Sequence, residues 1–253
     1  MFRRVKNQIR NKKYLKYLLD EKNVELWNRL INTENISISI GNYSSYGVYS
    51  KNNKHIIYVQ FDNLKSSSFT HELLHIYLMQ VGVYIGGCLK INSLSDVKLH
   101  KIFSQDLLDN ISNNLNHIKM LPLFLELGYD VEDFQDDYYL DKGKNEDFHL
   151  LQKGFCFDSY KGLVYLDKAI DCYIGIYFSA KACPNKSFDY SKFYADLKNI
   201  DMHLFVILEN YFEDWLKYDY TDKFGSYQDI TYNFMSILKS WCEDKIIISV
   251  GEV

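Results

Sequence analysis

The chain has 253 residues, 47% hydrophobic and 16% aromatic, with 22 tyrosines, 16 phenylalanines and two prolines. That composition belongs to a folded, largely helical protein with a sizeable core and excludes a disordered chain. A net charge of -4 provides no overall basic field, so no nucleic-acid partner is expected.

Residues 5 to 32 read as one or two helices, with Tyr14, Leu15, Leu18, Leu19, Trp27 and Leu30 on the apolar stripe. Basic residues crowd this end: Arg3, Arg4, Lys6, Arg10, Lys12, Lys13 and Lys16 precede the first acid, Asp20. Ile36 to Ile40 alternates as a half-buried strand, Tyr46 to Ser50 as a second, and His55 to Phe61 as a third. Together they predict a small antiparallel meander. Ser66, Ser67 and Ser68 supply N-cap material for a helix that runs through Leu73, Ile76, Tyr77 and Val81 until Gly86 and Gly87 break it. That helix is apolar on nearly every face, as a buried helix is.

A second long helix is expected from about Leu99 to Leu121. Pro122 ends or kinks it, and Gly128 stands as a C′ residue. Residues 130 to 147 are strongly acidic. Solvated surface is the expected role of both charge blocks. From Gly162 onward three helical patterns dominate, at roughly 163–182, 190–217 and 226–244, followed by a final strand after Lys245. The fold class is therefore α+β and mostly helical. A small antiparallel sheet lies beside the central helix, residues 1–149 form one domain, and residues 150–253 form a helical C-terminal subdomain.

Five scattered cysteines, Cys88, Cys156, Cys172, Cys183 and Cys242, include no C-x-x-C pair. They fit reduced thiols and a cytoplasmic location. The N-terminus lacks the apolar run of a signal peptide. The longest uncharged stretch, Leu73 to Leu89, falls short of the roughly 20 apolar residues of a membrane span, so no membrane association is expected.

The segment that carries chemistry is His71, Glu72, Leu73, Leu74 and His75, an H-E-x-x-H pattern. On a helix, residues four apart share a face, so His71 and His75 can offer two imidazole nitrogens to one metal ion. Glu72 lies beside them, placed to accept a proton from water rather than to bind the metal. In this pattern and setting the chain resembles the zincin superfamily of zinc metallopeptidases, over about residues 36 to 128.

The resemblance implies Zn²⁺ as cofactor, a peptide or protein substrate, Glu72 as general base, and a third ligand from elsewhere in the chain. The extended metzincin motif is absent, because Leu78 and Val81 stand where its glycine and third histidine would be. The gluzincin pattern fits imperfectly, since no glutamate occurs between Glu72 and Glu126. The candidates for third ligand are His117 first, then Glu126 and Asp109, with His100 and His149 behind them. His117 shares a polar stripe with Asp106, Asp109 or Asn110, and Asn113; Asn113 or Asp109 would orient it through hydrogen bonds. Tyr129, Tyr138 and Tyr139 are candidates for stabilising an oxyanion. The strand from His55 to Phe61 is a candidate edge for pairing with an extended substrate.

Two other function classes fit the sequence. One is an intracellular regulator or toxin-like protein that acts on a dedicated protein partner; Tyr211, Phe212, Trp215, Tyr218 and Tyr220 are its candidate recognition surface, with core packing the safer reading of them. The other is a non-enzymatic helical module in which the His-Glu-His cluster is structural; stoichiometric zinc separates it from the first two.

Overall fold

Asn52 and Asn53 both adopt the left-handed region, with φ of 50° and 56°. Two consecutive residues of this kind form the tight turn that matches strand twist, and asparagine tolerates it. The turn joins β2 (Gly47–Lys51) to β3 (Lys54–Gln60) as an antiparallel hairpin. β1 (Asn35–Gly41) pairs on the other side of β3, in parallel, giving the order β1-β3-β2. The expected antiparallel meander is thus a mixed sheet with β3 at its centre. The reason is burial: Ile57 and Val59 of β3 sit between the core and two neighbours, and Ile36 and Ile38 of β1 align with them on the same face.

A computed structural model of the chain describes residues 12–144, 148, 151–152, 154–160, 162–222 and 225–249. Much of the basic N-terminal block, part of the acidic stretch and His149 lie outside them. The chain divides into two compact units, Met1–Val83 with Lys119–Tyr138, and Tyr84–Ile118 with Tyr139–Val253. The division runs through one continuous helix, α6 (Gln105–Glu126), between Ile118 and Lys119.

In the first unit, α1 (Leu15–Leu18), α2 (Val24–Thr33) and α3 (Ser66–Gln80) pack with the mixed sheet. Leu18, Trp27, Leu30, Ile36, Ile57, Phe69, Leu73 and Ile76 form a common core. Cutting Phe69 or Leu73, both fully buried, back to alanine costs about 2–5 kcal/mol at such sites. α3 carries the H-E-x-x-H residues. Its N-cap position is Lys65, which makes no side-chain cap, so the serine run lies inside the first turn instead.

α3 stops earlier than Gly86. Gly82 has φ +94°, its N–H bonds to Met79 O at 3.0 Å, and the Val83 N–H bonds to Leu78 O at 2.9 Å. That is the Schellman stop, which needs a residue without a Cβ penalty. α6 ends the same way at Gly128, φ +89°, with Gly128 N to Leu125 O at 2.9 Å and Tyr129 N to Phe124 O at 3.4 Å. Pro122 lies inside α6 rather than at its end. Its ring is exposed, and helical bonds resume beyond it, with Leu127 N bonding Leu123 O at 3.0 Å.

In the second unit, Gly86 and Gly87 belong to α4 (Ile85–Ser93), followed by α5 (Val97–Ile102). A Cβ on Gly86 would meet Ser112 Oγ at 2.9 Å, so this glycine serves close packing rather than a break. The expected helix from 163 begins instead as β5 (Gly162–Leu166), which pairs with β4 (Cys156–Ser159) and, in parallel, with the expected last strand, β6 (Ile246–Ile248). α7 (Asp167–Lys181) follows β5. The expected helix 190–217 is two, α8 (Ser191–Ile200) and α9 (Met202–Lys217), because the Asp201 side chain caps Leu204 N at 2.7 Å. α10 (Tyr227–Cys242) is capped by Ser226. Tyr211, Phe212 and Trp215 are buried in this unit, as the core-packing reading of these aromatics expects, and do not form a recognition surface. The fold is α+β and mostly helical. No single helix among the described residues is long and apolar enough to cross a membrane.

Candidate metal centre

The i, i+4 spacing on α3 turns His71 and His75 toward each other. Their Nε2 atoms lie 3.2 Å apart, with ring centroids at 5.0 Å. Two nitrogens about 2.05 Å from one tetrahedral ion stand about 3.3 Å apart, so this pair already has the separation a shared zinc ion requires. His117 of α6 joins them: one ligand nitrogen from each of the three histidines lies within 4.8 Å of the others. Three imidazoles with no carboxylate among them suit Zn²⁺ by donor type.

The surroundings keep the two α3 rings neutral. His75 and His117 are buried and His71 is half-buried. Burial lowers His71 to about 4, against a hydrogen bond to the Phe134 backbone that raises it. Burial, and then the neighbouring charge of His71, holds His75 well below its ordinary value. A neutral imidazole is the ligating form. The Phe134 ring packs on His71 at 4.8 Å and on Phe124 at 5.2 Å, closing one side of the pair.

Glu72 is 6% exposed and makes no side-chain hydrogen bond among the described residues. Burial, reinforced by the charge of Asp136, pushes its carboxyl up to about 8. A carboxyl poised near neutrality is suited to taking up and returning a proton.

The other candidates lie elsewhere. Asp109 is exposed and accepts a hydrogen bond from Gln105 Nε2 at 2.9 Å. Glu126 and His100 are exposed, and none of the three joins the histidine group. The stripe first assigned to His117 is also corrected: Asp106, Asp109 and Asn113 face solvent, so Asn113 does not orient His117. Its inward neighbours on α6 are Asn110 and Asn114. Asn114 Nδ2 donates to Asn110 Oδ1 at 3.1 Å, and Asn110 Nδ2 donates to Ser179 Oγ at 3.2 Å. Of the stripe chosen, the Asn110 alternative lies on the inward side, and Asn114 takes the place given to Asn113.

Tyr129 is not free to serve an oxyanion. Its hydroxyl donates to the Asp20 carboxylate, and Thr70 Oγ1 lies 3.1 Å away. Tyr139 is exposed. Phe134 and Asp136, which flank the motif, lie on irregular chain after a single 3₁₀ turn, Val131–Asp133, where no periodicity marked them. Comparison with known proteins finds no family model, no curated protein and no solved structure that matches this chain.

Proposed function

We propose that the chain is a zinc-dependent peptidase of the zincin type. The observation that carries the reading is the convergence of His71, His75 and His117, with ligand atoms within 4.8 Å, beside a buried Glu72 on the same helix. His71, His75 and His117 would hold the metal. A zinc ion bound there would supply Lewis acidity toward a carbonyl and a water. Glu72, buried beside the histidines, is the residue that would take a proton from an attacking water and pass it to the leaving amine. Phe134 and the apolar body of α3 exclude bulk water, which strengthens the charge interactions inside.

An extended substrate has a strand to pair with, though not the one expected from sequence. β3 is central and has both edges paired, whereas β2 has β3 on one side only among the described residues. β2 also follows Tyr46, whose phenol is shifted upward by burial and, after an opposing hydrogen bond from the Lys65 backbone, by the charge of Asp136. The outer edge of Gly47–Lys51 is therefore the pairing edge in this reading.

The test is zinc content together with hydrolysis of a mixed peptide library. About one zinc per chain, with cleavage lost in Glu72→Gln, supports the reading. Zinc-free protein after purification without chelator, or undiminished cleavage in Glu72→Gln, overturns it.

A further inference from the structure

Away from the three histidines, the first unit brings a hydroxyl, an imidazole and a carboxylate into one line. Ser50 Oγ lies 2.8 Å from His55 Nδ1, and His55 Nε2 lies 3.3 Å from Glu34 Oε2. The three come from separate elements: Ser50 from β2, His55 from β3, and Glu34 from the residue that closes α2. His55 is 4% exposed, the Glu34 side chain is 13% exposed, and Ser50 is half-buried.

The hydrogen bonds fix the state of the ring. A carboxylate only accepts, so Nε2 carries the proton and donates to Glu34. Nδ1 is then the bare nitrogen, and the Ser50 hydroxyl donates to it. A hydroxyl aimed at a base whose other nitrogen is held by a carboxylate is the arrangement that activates a serine nucleophile. The two ring nitrogens are exchanged relative to the commoner serine triad, but the proton's route needs only a lone pair facing the hydroxyl. A 3.3 Å separation is long for the second bond; such contacts tighten once substrate is in place.

The sheet supplies a donor for the oxyanion. Lys51 and Lys54 flank the two-residue turn and form its closing hydrogen-bonded pair. Ser50 and His55, next along the ladder, are therefore a pair that exchanges no backbone bonds. Pairs of this kind bring their side chains closest together and turn their N–H and C=O groups away from each other. β2 has β3 on one side only among the described residues, so the Ser50 N–H faces the open edge. The nucleophile's own N–H is one of the donors that meet the oxyanion in a serine triad. A merely cross-strand contact accounts for the bond between Ser50 and His55. It does not account for a largely buried carboxylate behind the ring, where a backbone carbonyl would serve without the cost of burying charge.

We propose that Ser50, His55 and Glu34 form a catalytic centre separate from the histidines, transferring small acyl groups from carboxylic esters to water. Ser50 Oγ bonds to the ester carbonyl carbon as its proton passes to His55 Nδ1, and the Ser50 N–H meets the charge on the carbonyl oxygen. The bond from that carbon to the alkoxide breaks, and the alkoxide leaves with the proton from Nδ1. Water then gives a proton to Nδ1 and attacks the acyl carbon; Ser50 Oγ leaves with that proton and the acid is released. Glu34 touches no substrate and is a positioning residue, holding the ring and its transient charge. The acyl group is small because Ile57, on the same face two residues beyond His55, is fully buried in the core. This centre uses neither zinc nor Glu72, so it stands or falls apart from the peptidase reading.

The test uses full-length Glu72→Gln treated with chelator, which removes the peptidase chemistry, and p-nitrophenyl acetate as the probe. An initial release of about one p-nitrophenolate per chain is expected, with an acetyl group mapped by mass spectrometry to Ser50. Ser50→Ala should abolish that burst while melting like its parent, and His55→Gln should slow acylation by about 10²–10⁴-fold. Glu34→Gln should lower kcat about tenfold with KM unchanged, a split that loosened packing does not produce. Acetyl only on residues other than Ser50, a burst undiminished in Ser50→Ala, or acylation of Ser50 at an unchanged rate in His55→Gln would overturn the proposal. If His55→Gln does not fold, the position of the acetyl group in its parent decides alone.

Discussion

The Tyr129 hydroxyl donates to the Asp20 carboxylate, at 2.8 Å to Oδ1 and 3.0 Å to Oδ2. This bond ties the residue just past α6 to the turn between α1 and α2. It belongs to a larger clamp on the motif helix. Asn23 Nδ2 bonds Thr70 Oγ1 at 2.9 Å, Thr70 Oγ1 bonds Ser66 O at 2.7 Å, and Lys22 Nζ bonds Gly128 O at 2.7 Å. Thr70 immediately precedes His71, so the polar clamp holds the helix at the residue before the first ligand.

The clamp predicts an acid sensitivity. Burial by itself would raise Asp20, but hydrogen bonds from Ser66, Tyr129 and the Asn23 and Lys22 backbones outweigh it and hold the carboxyl below 3.8. A depressed carboxyl binds fewer protons folded than unfolded. Its contribution is therefore full above the unfolded value and is lost as pH falls through the folded one. Tyr129→Phe should destabilise by about 1–2 kcal/mol at neutral pH, and the difference should shrink below about pH 4. Urea unfolding of both proteins across pH 2.5–7 measures it. A pH-independent difference would place the stabilisation in packing instead.

Zinc binding should depend unequally on the candidate ligands. His71→Ala, His75→Ala and His117→Ala should each lose stoichiometric zinc, and Asp109→Ala, Asn113→Ala and Glu126→Ala should bind like the parent, because those three side chains are exposed. Competition with a chromogenic chelator ranks all six. Normal zinc affinity in His117→Ala together with weakened affinity in Glu126→Ala would assign the third ligand to the carboxylate.

Glu72→Gln should keep zinc and lower kcat by about 10²–10⁴-fold, the usual weight of a positioned proton carrier. The same change should raise the melting temperature of chelator-treated protein at neutral pH, since a buried Glu72 with its carboxyl raised to about 8 must take up a proton on folding and glutamine need not. Calorimetry on the two apoproteins checks the second expectation independently of any substrate.

Two glycines a few residues apart should respond in opposite directions. Gly82→Ala forces an alanine to φ +94° and should cost about 1–2 kcal/mol. Gly87 lies within α4 with open space where a Cβ would stand, so Gly87→Ala should stabilise by about 0.5–1 kcal/mol. Thermal unfolding of both variants decides which glycine ends the motif helix.

These glycines show what could be read from sequence. The stop was read at Gly86 and Gly87, whereas a φ of +94° places it at Gly82, and composition does not encode φ. His71, Glu72 and His75 were legible because a four-residue spacing within one helix is local geometry. His117 was chosen from the right helix on the wrong stripe, since burial of Asn110 and Asn114 against exposure of Asp109 and Asn113 depends on tertiary packing. The order β1-β3-β2 was illegible for the same reason: alternation marks a strand but not its neighbour. β4 escaped notice because Cys156 to Ser159 lacks an alternating apolar pattern, and β5 because its apolar run continues into α7.

The tight turn at Asn52 and Asn53 also sets an order of events in time. A two-residue loop closes quickly, and hairpins of this kind form within about 1–10 μs. β1 can join only by bringing Ile38 to Ile57, across a far longer intervening segment, and the added loop-closure entropy delays it. The strand synthesised first is therefore placed last. During translation, Ile36 and Ile38 wait without their β3 partners until the hairpin has left the ribosome, and an unpaired apolar strand of this kind is open to aggregation.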